Sequence, residues 1–172
     1  MLQFNRCKQS DLSEEEIKNV YKAGFIHLKN AYSADKKSSV VGLFMGKHFA
    51  TVQDMDKAMA FASKASTAHG LKSVQSEGFY LMGRIHHQLE KYNDACLAYG
   101  KAVAFNPDNL LAQFGLGQTL LFKSDIASAI TAFERILSKE PKCVEAIAVS
   151  SFTQVQPVSH SIILQYADDF AT

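Results

Sequence analysis

Residues 76–109 read SEGFYLMGRIHHQLEKYNDACLAYGKAVAFNPDN, and residues 110–143 read LLAQFGLGQTLLFKSDIASAITAFERILSKEPKC. Laid over one another, they match at a period of 34: Gly83 falls on Gly117, Ala95 on Ala129, Tyr99 on Phe133 and Pro107 on Pro141. Phe79, Met82, Gly83 and His86 follow the i, i+3, i+4, i+7 spacing of one helical face. A glycine inside such a pattern costs roughly 1 kcal/mol relative to alanine, so Gly83 and Gly117 predict a compensating close approach between helices. Ala95 and Ala129 are read as the small partners across that approach, with Tyr99 and Phe133 filling the gap toward the next unit. Asn106-Pro107-Asp108 and Glu140-Pro141 end the second helix of each unit, because proline cannot continue a helix.

This helix-turn-helix period resembles the tetratricopeptide (TPR) repeat, which implies an all-α fold: a right-handed superhelix of antiparallel helix hairpins. A looser copy precedes the two strict ones. Residues 41–65 read VGLFMGKHFATVQDMDKAMAFASKA, in which Gly46, Phe49, Ala58, Ala62 and Ala65 take the small and aromatic places. Gly46 and Gly83 are 37 residues apart, so three extra residues are expected within 66–73, lengthening the second helix or its connection. Upstream, Asp11-Leu12-Ser13 before Glu14-Glu15-Glu16 reads as an N-cap with acids in the first turn. Ile17, Val20, Tyr21, Phe25 and Leu28 continue that helix to about Ser33. The expected organisation is a TPR array over 11–152, with a half-repeat at 11–35, repeats at about 39–73, 76–109 and 110–143, and a half-repeat at 144–152. An irregular tail follows at 153–172. Each hairpin has an apolar face that only a neighbour covers, so half-repeats at both ends predict a longer solenoid or a partner at the ends.

Composition narrows the function classes. Of 172 residues, 47% are hydrophobic and 20% charged, which excludes a disordered tail. Eighteen basic and 17 acidic residues give a formal charge of +1 without a lysine or arginine cluster. Direct nucleic-acid or membrane binding, which needs a concentrated basic face, is not expected. Cys7, Cys96 and Cys143 are far apart and lack CxxC spacing, which fits a reducing compartment. No apolar run reaches the length of a membrane span, and the first residues lack a signal-peptide core. The chain is therefore expected to be soluble and intracellular.

Four stretches carry a narrower resemblance: IKNVYKAGFIHLKNAYSAD at 17–35, MGKHF at 45–49, QSEGFYLMGRIHHQLEKYNDACLAYGKA at 75–102, and FGLGQTLLFKSDIASAITAFERILSKEP at 114–141. They resemble the TPR scaffold subunit of the RNA polymerase II-associated factor (PAF) elongation complex. The resemblance rests on the SEGFY opening, the lengthening before it and FGLGQ in the next repeat. It implies a nuclear, non-enzymatic scaffold for transcription elongation and co-transcriptional histone modification. Its implied partners are the other PAF subunits and, through them, RNA polymerase II, with no cofactor, metal or small-molecule substrate. After Phe152 the chain departs from that family.

Partner binding is expected along the first helices of the hairpins. Counting from the repeat starts gives Leu43 and Lys47, then Tyr80, Arg84 and His87, then Phe114, Gln118 and Leu121; tyrosine and arginine are frequent interface anchors. The alternative is a generic TPR adaptor or a co-chaperone-like module. Chaperone-binding TPRs resemble one another in a clamp of lysines, asparagines and arginine, whereas this chain has Leu43, Leu81, Leu111 and Gly115 there, with Lys47 nearby. Other local signals have plain structural readings. His86-His87 lacks the further convergent ligands that zinc needs, and Cys96 sits among small core residues of an amphipathic helix. Gly115-Leu116-Gly117 is too weak a signal for a nucleotide loop. The tail Tyr166-Ala167-Asp168-Asp169 is similar to the metal-binding motif of reverse transcriptases, but no room remains for a palm sheet around it.

Overall fold

The computed structural model of the chain describes residues 14–143. Among them are seven helices in the order α1 Glu14–Ala34, α2 Ser39–Thr51, α3 Met55–Ser66, α4 Lys72–Gln88, α5 Tyr92–Phe105, α6 Leu110–Phe122 and α7 Ile126–Lys139. The capping segment at 11–13, Cys7, the half-repeat expected at 144–152 and the tail with Tyr166, Asp168 and Asp169 lie outside the described residues. Helices α2 and α3, α4 and α5, and α6 and α7 pack as hairpins, and successive hairpins stack through α3 on α4 and α5 on α6. No helix among the described residues is long and apolar enough to cross a membrane.

The three hairpin turns share one geometry. Gln53, Glu90 and Ser124 each adopt a left-handed φ, of 63°, 57° and 63°. The amide after each returns to the carbonyl five residues back: Asp54 to Phe49, Lys91 to His86 and Asp125 to Leu120, at 2.9 Å in every case. Those bonds, with Gln53 to Ala50, Glu90 to His87 and Ser124 to Leu121, make a Schellman motif that satisfies otherwise orphaned helix carbonyls. Helix starts are capped where the sequence supplies an acceptor. The side chains of Asp54, Asn109 and Asp125 accept from Lys57, Ala112 and Ser128 amides. Lys91, equivalent to Asp54 and Asp125, gives α5 no side-chain cap.

The core is built from alanines on the second helices under larger side chains. Ala58, Ala95 and Ala129 occupy one repeat position and are fully buried. One cluster joins Leu43, Ala58, Ala62, Ala65, Leu81 and Ile85; a second joins Leu121, Ala129, Phe133 and Ile136. The alanines let second helices lie close, while the branched residues supply the buried apolar area that stabilises a repeat stack.

The structure makes two details of the sequence reading specific. The three extra residues do not lengthen a second helix, since α3 has 12 residues against 14 in α5 and α7. They fall in the connection at 67–71 and in the first turn of α4, which starts before the position equivalent to the start of α6. At Gly83 and Gly117 the nearest groups are aromatic rings of the second helices. A Cβ on Gly83 would lie 2.6 Å from the Tyr99 ring, and one on Gly117 would lie 2.7 Å from the Phe133 ring. Among the described glycines, the one pressed against the backbone of a neighbouring helix is Gly78 of α4, where a Cβ would stand 2.5 Å from the Ser66 backbone nitrogen.

Helix α1 docks on α2 through aromatic groups. Phe25 stacks on His48 with ring centres 3.7 Å apart, and the Tyr21 hydroxyl is 2.9 Å from His48 Nδ1. Val20 and Ile26 on the same helix remain exposed at 65% and 58%.

Candidate interaction face

The first helices α2, α4 and α6 neighbour one another directly, α2 against α4 and α4 against α6. The repeat register therefore places equivalent residues on one face of the stack. Val40, Glu77 and Leu111 form one row across it, and Lys47, Arg84 and Gln118 form a second, at the 37- and 34-residue offsets of the repeats.

A polar chain ties the three hairpins together under this face. Lys47 Nζ of α2 donates to Glu77 Oε2 of α4 at 2.7 Å. Asn109 Nδ2 donates to Glu77 Oε1 at 3.2 Å and to Ser76 Oγ at 3.1 Å, while its own carbonyl oxygen caps α6. Ser76, fully buried, donates to the Ala102 carbonyl at 2.8 Å. Burying Ser76 and Asn109 is tolerated because each is bonded. The half-exposed Lys47–Glu77 pair by itself is worth only about 0.2–1 kcal/mol; its larger effect is to fix both side chains. Glu77 is the single carboxylate on α2, α4 and α6.

The sequence-chosen groove residues divide into three groups. Lys47, Tyr80, Arg84 and Gln118 lie on the face: Arg84 is exposed, with its guanidinium 6.0 Å from the Tyr80 ring centre. Phe114 and His87 are half-buried packing residues at its margin. Phe114 meets Phe133 edge-on at 5.6 Å, and His87 meets Phe122 and Tyr92 edge-on at 5.2 and 5.6 Å, beneath a Tyr92–Phe122 stack. Leu43 and Leu121, expected in the groove, are core residues at 5% and 3% exposure. They share repeat positions with Tyr80 and His87, yet both are packed into the core, so neither offers surface to a partner.

Sequence reasoning missed Val40 and Leu111, exposed at 43% and 49%, and Glu77 between them. Their shared repeat position was the available signal. Phe44 is also exposed, at 53%, although its repeat equivalent Leu81 is buried. Leu81 is covered by the preceding first helix, against Gly46; among the described residues no first helix precedes α2 to cover Phe44.

Electrostatics on the face follow from burial. Burial raises the Tyr80 hydroxyl above its ordinary value, with the nearby Arg84 charge opposing the rise. The Tyr99 hydroxyl, more deeply buried, is raised further for the same reason. Both are neutral donors at physiological pH. Among the described residues no group of three or more His, Cys, Asp or Glu side chains converges for a metal ion.

This architecture agrees with the family comparison, in which the TPR repeat model matches residues 83–121. The chain folds as an all-α TPR array. It is similar, at 27% identity over 72% of its length, to Tetratricopeptide repeat protein 1 of Schizosaccharomyces pombe, 12% of which is covered. It is likewise similar to the RNA polymerase-associated protein CTR9 of Caenorhabditis elegans, at 27% identity over 73% of this chain and 11% of that protein. The Saccharomyces cerevisiae protein of the same name matches at 35% identity over 38% of this chain and 6% of its own length. The chain thus spans no more than 12% of the length of these curated relatives. Crystal structures of MamA share the fold, with a TM-score of 0.66 at 19% identity over 91% of this chain and 92% of that one, and 0.64 at 18% over 89% and 82%.

Proposed function

We propose that this TPR array is a scaffold segment of the PAF type, nuclear, holding a partner protein on the face of α2, α4 and α6 during RNA polymerase II transcription elongation and co-transcriptional histone modification. The similarity to two proteins named RNA polymerase-associated protein CTR9, one spanning most of the array, carries this reading. The face itself supports a protein-interaction role: Tyr80 and Arg84 are the residue types that anchor interfaces, and the Lys47–Glu77–Asn109 chain links the three hairpins beneath them. Other PAF subunits are the partners this reading names, with the polymerase reached through them. It assigns no catalytic step.

A generic TPR adaptor is the second reading, favoured by the Schizosaccharomyces pombe match, whose name specifies only the repeat. A co-chaperone clamp fits less well. Leu43 and Leu81 are buried at clamp positions, Gly115 lies beneath the Tyr99 ring, and Lys47 is bonded to Glu77. Affinity capture from nuclear extract, read by mass spectrometry, separates the two. Recovery of PAF subunits by a chain shown to be helical supports the scaffold; a folded chain that recovers none of them overturns it and leaves the adaptor.

A further inference from the structure

We infer that the open side of α1 and α2 takes an amphipathic α-helix of a partner protein, lying antiparallel to α1 and carrying glycine or alanine where it crosses between Gly24 and Phe44. The inference does not depend on the PAF reading.

The repeat period reaches back into α1. Gly24 falls on Ala58, Leu28 on Ala62 and Ala31 on Ala65, each pair 34 residues apart. The step to the next first helix also matches: α1 ends at Ala34 and α2 starts at Ser39, as α5 ends at Phe105 and α6 starts at Leu110. Helix α1 is therefore the second helix of a hairpin. In α3 the three alanines are 0%, 0% and 1% exposed, packed on α2. In α1, Gly24 and Ala31 are exposed, and a Cβ added to Gly24 would meet nothing within 4 Å. No first helix among the described residues covers this side, and the exposed Phe44 borders it.

The next hairpin shows what fits there. A Cβ added to Gly46 would stand 3.0 Å from Leu81, 3.1 Å from Phe61 and 3.5 Å from the Ala58 carbonyl oxygen. One bare α-carbon thus wedges between its own second helix and the next first helix. One repeat earlier, those three neighbours are Phe44, His27 and Gly24. The occupant needs a small residue at this crossing, as Gly46, Gly83 and Gly117 supply, with a large residue three positions before it, as Leu43, Tyr80 and Phe114 supply. Val20, 65% exposed, extends Gly24, Leu28 and Ala31 into one uncharged stripe at helical spacing, which suits the apolar face of a helix. The other hairpins turn at 52–54, 89–91 and 123–125, but the equivalent residues 18–20 are helical. Helix α1 runs past the point where a hairpin partner folds back, a constraint that a helix from another protein escapes.

Selection from a phage-displayed library of helix-forming peptides randomised along one face, with the whole chain as target, tests the inference. The expected result is enrichment of glycine or alanine three residues after a large apolar one, lost on the Phe44→Glu chain. A synthetic enriched peptide, followed by fluorescence anisotropy, should lose about tenfold in affinity when its small residue becomes leucine, as for overpacking of a close contact. It should weaken equally on Ala31→Glu and ignore Ile26→Glu, an exposed site on the other side of α1 that shares its repeat position with Leu97 and Thr131. All three substituted residues are exposed, and circular dichroism checks that the variants stay helical. No enrichment, indifference to the leucine exchange, or equal losses on Ala31→Glu and Ile26→Glu would overturn the inference. Binding that appears only after Leu2→Glu or Phe4→Glu would give the site to the first residues of this chain. A dimer in analytical ultracentrifugation that Phe44→Glu abolishes would give it to a second copy. Either result overturns partner occupancy.

Discussion

The Tyr99 ring of α5 lies over two bare α-carbons, Gly83 on its own hairpin and Gly115 on the next, and a Cβ at either would come within 2.6 Å of a ring atom. One aromatic side chain thereby sets the spacing of three helices. Gly83→Ala and Gly115→Ala should each destabilise by about 1–3 kcal/mol through overpacking. In a Tyr99→Leu background the same alanines should cost much less. Urea melts of the four-member cycle check the coupling, and additive costs would contradict a shared ring contact.

Gly78 tests a different kind of closeness. There the neighbours are backbone atoms of α3, Ser66 N and Ala62 O, which cannot swing aside. Gly78→Ala should cost toward the upper end of about 1–3 kcal/mol, whereas Gly24→Ala in α1, where an added Cβ would meet no neighbouring group within 4 Å, should stabilise by a few tenths to about 1 kcal/mol. Thermal melts of the two variants should shift in opposite directions.

The turn before α5 is open to improvement. Asp54 and Asp125 cap α3 and α7 at the position where Lys91 precedes α5 without a side-chain cap. Lys91→Asp should add about 1 kcal/mol, since the new carboxylate reaches the free amides and favours the helix N-terminus. A melting temperature that fails to rise would mean α5 starts differently.

Stability should fall at both ends of the pH range, for opposite reasons. The buried Tyr80 and Tyr99 hydroxyls ionise above their ordinary value near 10, so the folded chain holds protons that the unfolded chain releases. Their contribution is complete below about pH 10 and declines as pH rises beyond it. Asp54 behaves inversely. Hydrogen bonds from the Lys57 side chain and amide lower its pKa below 3.8, so its contribution is present above that value and lost as pH falls through the folded one. Urea midpoints from pH 3 to 11 check both limbs, and Tyr99→Phe should flatten the alkaline one.

Much of this architecture was legible in the chain. The 34-residue spacing of Gly83 and Gly117, Ala95 and Ala129, and Pro107 and Pro141 locates hairpins because each type answers a local need. Alanine lets second helices close up, and proline ends them. Tyr80, Arg84 and Gln118 were expected on the groove side of the first helices for the same reason: a helix of known register fixes which way its residues point.

Burial was decided by neighbours that no local pattern names. Leu43 and Tyr80 are repeat equivalents, yet one is core and the other is half-buried. Phe44 and Leu81 differ more sharply, 53% against 1% exposed, because α2 covers one and no described helix covers the other. The roles of Gly78 and Gly115 were hidden too, since a helical glycine reads alike whether it faces backbone, an aromatic ring or water. The sequence by itself determined the period and the helix ends that proline marks, both properties of short stretches. Only the tertiary structure decided what each face meets, because that depends on packing between residues from different helices, and with it which cation on the face of α2, α4 and α6 is bonded to a carboxylate, Lys47 rather than Arg84.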